Sequence, residues 1–144
     1  MSYLPVAIPA PTPDDDDAPF WAHCGERRLM FQRCPRCSTL VHPPLAVCPG
    51  CQTFERGWVE APADAVLFSF TWAHAAAHES MKERLPYNVA LVEFPELPGV
   101  RLVSNVIDAT PGELRIGDPL TLVWEQGWEG QMLPRFRLRR KEAD

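Results

Sequence analysis

With 144 residues, 46% of them hydrophobic, the chain is long enough for one ordinary domain or for two small modules sharing a core. A formal charge of −5 and a pI near 5.3 make it a poor non-specific partner for nucleic acid or an anionic membrane, and no run approaches the ~18 apolar residues of a membrane span. Sixteen prolines favour loops, edges and short strands over long helices.

Residues 1–11 are proline-rich and apolar, and two fates fit them: extended along a partner or neighbouring chain, or frayed. They carry neither the basic start nor the apolar centre of an export signal. With unpaired thiols, this predicts a cytoplasmic protein. Thr12-Pro13-Asp14-Asp15-Asp16 reads as a helix start, with Thr12 as cap, Pro13 in the first turn and acidic residues at the positive end of the dipole. Asp14 to Asp17 lack the alternating spacing and closing Glu of a calcium loop. Phe20, Trp21, Cys24 and Leu29 follow with helical periodicity, and Gly25 ends the run. Cys24 reads as a small buried hydrophobe, since nothing basic closely precedes it. Residues 1–28 are thus an N-terminal extension and helix.

Residues 29–60 read as a zinc ribbon. Leu29 to Gln32 is a short strand leading into Cys34-Pro-Arg-Cys37, and Cys48-Pro-Gly-Cys51 follows ten residues later. Two Cys-x-x-Cys pairs across a short loop are the ligand geometry of a closed tetrahedral zinc site, with Pro35, Pro49 and Gly50 supplying the turns. Cys34, Cys37, Cys48 and Cys51 leave no open coordination position, so the expected Zn2+ is structural. A disulfide framework would strand the fifth cysteine, Cys24. Iron in the same four sulfurs, as in a rubredoxin-like electron carrier, also fits the spacing. Ser38 and Gln52 stand where glycine would open space for amide-to-sulfur bonds, which ranks iron below zinc. His42 is a loop residue beside four available thiolates, and Phe54 and Trp58 close the module.

From residue 61 to 144 the pattern is β. Val66 to Trp72, Tyr87 to Phe94, Val100 to Ile107, Leu120 to Trp124 and Leu133 to Leu138 read as five strands, with turns at Pro95–Gly99 and Arg115–Asp118. A longer excursion follows the first. Five short strands fit an OB-fold barrel, so the fold class is mainly β: N-terminal helix, rubredoxin-like zinc ribbon, C-terminal five-stranded OB fold.

Several runs resemble one family in order and spacing: Phe20-Trp21, Phe31 to Cys37, Pro43-Pro44, Cys48 to Cys51, Trp58-Val59-Glu60, Leu67 to Thr71, Pro86-Tyr87, Ala90 to Glu93, Ile116-Gly117 and Leu133 to Phe136. It is the acyl-CoA-associated family known as "domain of unknown function 35", and the resemblance covers roughly residues 12–138. It implies a non-catalytic accessory subunit of a thiolase-superfamily or related aldolase or hydratase enzyme. Such a subunit supports acyl-CoA binding or channelling, in degradation of an aromatic, steroid or fatty acyl compound. Phe20, Trp21 and Trp128 are the expected contacts to partner or acyl-CoA. Ala22-His23-Cys24 departs from the acidic or helix-forming residues usual there, leaving the helix's partner face open.

No catalytic set emerges. His74, His78 and Glu79 lie close in sequence, but in a small-residue stretch that reads as a solvated loop. Trp72, Trp124, Trp128 and Phe136 are candidates for a barrel face, with Trp72 and Phe136 read as core. The tail Arg135 to Lys141 suggests single-stranded nucleic acid when taken alone. Its alternation reads first as a half-buried strand, second as a contact for an anionic ligand or partner, and third as a nucleic-acid site.

Overall fold

The structure is a computed structural model and describes residues 2–142. Its helix, α1 (Ala18–Gly25), starts later than Thr12-Pro13 suggests, with Asp17 at the N-cap and Pro19 in the first turn. The aspartates explain the delay. Asp14 Oδ1 accepts from the N–H groups of Asp16 at 2.8 Å and Asp17 at 3.0 Å, and Asp17 Oδ1 accepts from Asp14 N–H at 2.7 Å. These side chains take up main-chain donors in a tight turn and so postpone the helix. Phe20 and Cys24, four residues apart, form its buried face.

A three-stranded antiparallel sheet follows, in the order β2 (Leu40–Val41), β1 (Met30–Arg33), β3 (Gly57–Glu60). Central β1 buries Met30, Phe31 and Gln32 in succession, since it is covered on both faces. β3 escapes sequence reading because four residues carry too little pattern; its register against β1, Phe31 opposite Val59, makes it a strand. Phe54 does not close the module: it is 77% exposed, whereas Trp58 packs against the core.

The barrel comprises β4 (Ala65–Ala73), β5 (Tyr87–Glu93), β6 (Arg101–Ser104), β7 (Val106–Ile107), β8 (Pro119–Gln126) and β9 (Met132–Leu138), hydrogen-bonded in the order β6-β5-β4-β8-β9-β7. β6 and β7 are one segment broken at Asn105. β6 lies antiparallel to β5 and β7 parallel to β9, so five strands close on themselves. The break departs from the continuous strand read over 100–107, and its cause is Asn88. Buried Asn88 accepts from Val106 N–H through Oδ1 and donates to Val106 O through Nδ2, both at 2.8 Å, so a side chain stands in for a strand ladder. The Tyr3 hydroxyl accepts from Asn88 N–H at 2.9 Å and Nδ2 at 2.7 Å.

Residues 2–11 are therefore not frayed. They fold back over their own barrel, where Arg84 donates to the carbonyls of Ser2 and Tyr3 at 2.7 and 2.8 Å. One core runs through the whole chain: Phe31 of the ribbon sheet meets Phe94 of the barrel at 5.2 Å between ring centroids, and Phe94 meets Phe136 at 6.2 Å.

Candidate metal centre and the cleft beside it

Each cysteine pair sits on a six-residue turn of the same construction, Cys-Pro-x-Cys-x-Thr. Cys34 N–H donates to Thr39 O and Ser38 N–H to Cys34 O at 2.9 and 3.0 Å; Cys48 N–H to Thr53 O and Gln52 N–H to Cys48 O repeat this at 2.9 Å each. Ser38 and Gln52 both take φ of 64°, left-handed backbone that closes the turn. The paired threonines were not singled out in the sequence, although the doubled Cys-x-x-Cys-x-Thr was available to find them.

The turns bring all four sulfurs within 4.8 Å of one another. Cys34 and Cys51 Sγ are 3.6 Å apart, and Cys37 and Cys48 Sγ 3.5 Å. Zn–S bonds of about 2.3 Å place the sulfurs of a tetrahedron about 3.8 Å apart, so the quartet fits one ion. Arg36 N–H lies 3.4 Å from Cys34 Sγ and Gly50 N–H 3.3 Å from Cys48 Sγ, donors that suit thiolate charge. Thr39, hydroxyl first, brings the Cys37 thiol down to about 6. At Cys51 the Thr53 amide also pulls down, but burial and the neighbouring sulfurs push the thiol up to about 12. Four thiolates this close need a cation to ionise together.

Cys24 belongs elsewhere: it lies fully buried on the inner face of α1, where burial pushes its thiol up to about 12 and makes it inert. His42 is more than a loop residue. Its ring packs between Phe20 and Phe31 at 5.2 and 5.1 Å, and burial holds its pKa down to about 4. Gln32 fixes the loop that carries it, its side-chain amide donating to Leu45 O and accepting from Leu45 N–H. His74, His78 and Glu79 are exposed, with His78 capping a 3-10 turn through Ser80 N–H at 3.2 Å.

Between α1, the ribbon loop and the barrel lies a cleft of about 310 Å³, walled by Trp21, Pro43, Pro44, Val103, Pro134 and Arg135. Trp21 is half-buried on its wall, while Phe20 is 4% exposed beneath it with its ring edge against Trp21 at 5.1 Å. Trp128 is not part of this cleft. It is 45% exposed at the β8–β9 turn, against Leu4, Pro5 and Ile8 of the folded-back N-terminus. Phe136 is wholly buried and Trp72 and Trp124 half-buried against the core. The basic tail is neutralised within the chain: Arg137 pairs with Asp108 at 3.1 Å, Arg139 with Asp64 at 3.0 Å, Arg140 with Asp118 at 2.8 Å, and Lys141 with Glu113 at 2.5 Å. No helix among the described residues is long and apolar enough to cross a membrane.

Residues 21–55 match the model of the rubredoxin-like zinc ribbon domain of ChsH2, and residues 58–125 that of its C-terminal OB-fold domain. A solved chain of the Ltp2-ChsH2(DUF35) aldolase is 38% identical with a TM-score of 0.81, covering 90% of this chain and 98% of that one. A "Probable enoyl-CoA hydratase alpha subunit" of Thermomonospora curvata is 39% identical over 90% of this chain, which spans 39% of that protein's length. A DUF35 domain-containing scaffold protein of Methanothermobacter thermautotrophicus is 28% identical, covering 84% of this chain and 93% of that one. A DUF35 protein of Sulfolobus solfataricus shares the fold at 20% identity and a TM-score of 0.57. A helix, a four-cysteine ribbon and an OB barrel in one core, matched along nearly the whole chain, place this protein in the DUF35 family.

Proposed function

We propose that the chain is a non-catalytic, zinc-binding accessory subunit of an acyl-CoA-processing enzyme of thiolase, aldolase or hydratase type, working in the cytoplasm and supporting acyl-CoA binding or channelling. The observation that carries this reading is the 38% identity across 98% of a chain from the Ltp2-ChsH2(DUF35) aldolase. The hydratase-subunit and scaffold names of two further relatives agree with it.

In this reading Cys34, Cys37, Cys48 and Cys51 hold the ion, which supplies cross-linking and no open position for water or substrate. It ties the turn after β1 to the turn before β3. Phe31 on β1 is part of the barrel core, so the ion steadies the loop carrying Pro43 and Pro44 against the cleft. Phe20, Trp21 and Trp128 remain the aromatic contact candidates, Phe20 as backing for Trp21.

Affinity capture from the native host with mass spectrometry of the retained chains tests the reading. An acyl-CoA enzyme subunit at stoichiometric yield is expected; monomer alone under mild salt overturns it. Metal analysis separates zinc from iron, because zinc protein is colourless and a four-sulfur iron centre is not. The paired basic tail gives oligonucleotides little to hold, so a titration at low salt is expected to show no saturable binding.

A further inference from the structure

Arg135 is a charged side chain whose burial is not matched by hydrogen bonds. Its side chain is 12% exposed, and Glu125, the acid beside it, is as enclosed. Nε lies 3.6 Å from Glu125 Oε2, beyond hydrogen-bond length, and is closed to solvent without a partner. Among the described residues Nη1 and Nη2 make no hydrogen bond either, yet they remain open to the space around them. A guanidinium offers five donors, and leaving a buried one unpaired is costly. Burial accordingly pulls the Arg135 pKa down. Arg137 and Arg140, further along the same stretch, do find carboxylates, at 3.1 and 2.8 Å.

Arg135 borders two spaces. One is a cavity of about 40 Å³ beneath residues 4–11, which Glu125 also borders. The other is the cleft of about 310 Å³, which Glu125 does not reach. Arg101 joins Arg135 on the cleft wall. It lies 3.8 Å over the Phe68 ring and 3.8 Å from Glu93, and neither contact is a hydrogen bond. Against these two guanidiniums the cleft lining has one carboxylate, Asp17, whose Oδ1 accepts from Asp14 N–H at 2.7 Å in its own turn. His42 adds no charge at neutral pH, since burial holds its pKa down to about 4. The remaining wall is apolar, led by Trp21, Pro44, Leu133 and Pro134.

We infer that the cleft binds a small organic acid, its carboxylate on the Arg135 guanidinium within the field of Arg101, and its apolar body against Trp21, Pro44 and Leu133. A space of 310 Å³ holds about ten groups the size of a water molecule, at ~30 Å³ each, which suits a carboxylate on one ring or a short chain. The lining's single excess positive charge matches a carboxylate. A phosphate monoester brings about −1.5 to −2 at pH 7 and would leave charge uncompensated among apolar walls. The site does not depend on the accessory role, because this chain alone supplies every group in it.

Calorimetric titration of the full chain, in a buffer free of carboxylates, tests this with four probes: phenylacetate, its uncharged counterpart phenylacetamide, phenyl phosphate and coenzyme A. Nitrogen-15 NMR shifts of the Val103 amide and the Trp21 indole locate the bound molecule. Phenylacetate is expected to saturate one site and move both signals, with phenylacetamide at least tenfold weaker. Arg135→Met is expected to weaken phenylacetate at least tenfold with unchanged circular dichroism, and Arg135→Lys, which keeps the charge but loses the planar fork, to fall between it and wild type. If Arg135→Met does not fold, the comparison of acid with amide on wild type decides, with Arg101→Gln expected to weaken the acid at least threefold. No saturable binding of phenylacetate overturns the inference, as do equal affinity for the amide, tighter binding of phenyl phosphate, or shifts that avoid Trp21 and Val103. Coenzyme A moving these signals while phenylacetate leaves them still also overturns it. A chain that captures its enzyme but binds no acid loses this inference and keeps the accessory role.

Discussion

The side-chain amide of Gln32 pairs with the main chain of Leu45 in both directions: Nε2 donates to Leu45 O and Oε1 accepts from Leu45 N–H, each at 2.9 Å. Gln32 is 2% exposed in the middle of β1, so it holds the cleft loop as an extra strand would. Gln32→Leu keeps the volume and strands both Leu45 groups. A loss of about 1–3 kcal/mol in urea unfolding is expected from the two bonds lost. An effect under about 0.5 kcal/mol would show that the loop holds itself.

Gly50 and Arg36 occupy the same position of the two cysteine turns but differ in room. A Cβ on Gly50 would meet Thr39 Oγ1 at 2.5 Å and Cys37 Sγ at 3.2 Å. Gly50→Ala is therefore expected to weaken metal affinity at least tenfold in a competition with a chromogenic chelator. Arg36→Ala gives up an exposed ion pair with Glu55 and is expected to leave the urea midpoint nearly unchanged.

His42 gives the fold a pH dependence. Burial lowers its folded pKa from 6.5 to about 4, so the unfolded chain binds the proton first as pH falls. Its contribution is fully present above about 6.5, is lost progressively down to about 4, and changes no further below that. The loss is about 3 kcal/mol. Urea midpoints at pH 7.5 and 4.5 for wild type and His42→Phe, with metal content assayed at each pH, are expected to differ most at low pH in favour of His42→Phe. Parallel midpoints would contradict the burial argument.

Tyr3 ties the folded-back N-terminus to the barrel seam. Tyr3→Phe removes the acceptor for two Asn88 donors and is expected to cost about 1–3 kcal/mol and to speed hydrogen exchange at Asn88. Unchanged exchange there would mean that water replaces the hydroxyl without loss.

The parts legible in the sequence are those set by local chemistry. The four cysteines announce themselves by spacing, β4, β5 and β8 by β-branched and aromatic residues, and β9 by its alternation. What stayed hidden depends on distant partners. Tyr3 meets Asn88 across the chain, β3 becomes a strand only against β1, and the break at Asn105 exists because Asn88 replaces a ladder. The helix starts later than its sequence suggests because capping and turn-forming side chains are of the same residue types, and Asp14 takes the turn. Resemblance points to Phe20 and Trp21, but the cleft they border is made by three elements at once, which no single run encodes.

The account turns on whether the sulfur quartet, once metallated, is what presents this chain to its enzyme. The direct measurement is zinc content and enzyme capture for wild type beside the double variant Cys48→Ser, Cys51→Ser. One zinc per wild-type chain with enzyme retained, and neither in the variant, is the expected result. A variant that is metal-free, folded and still bound to the enzyme would contradict it.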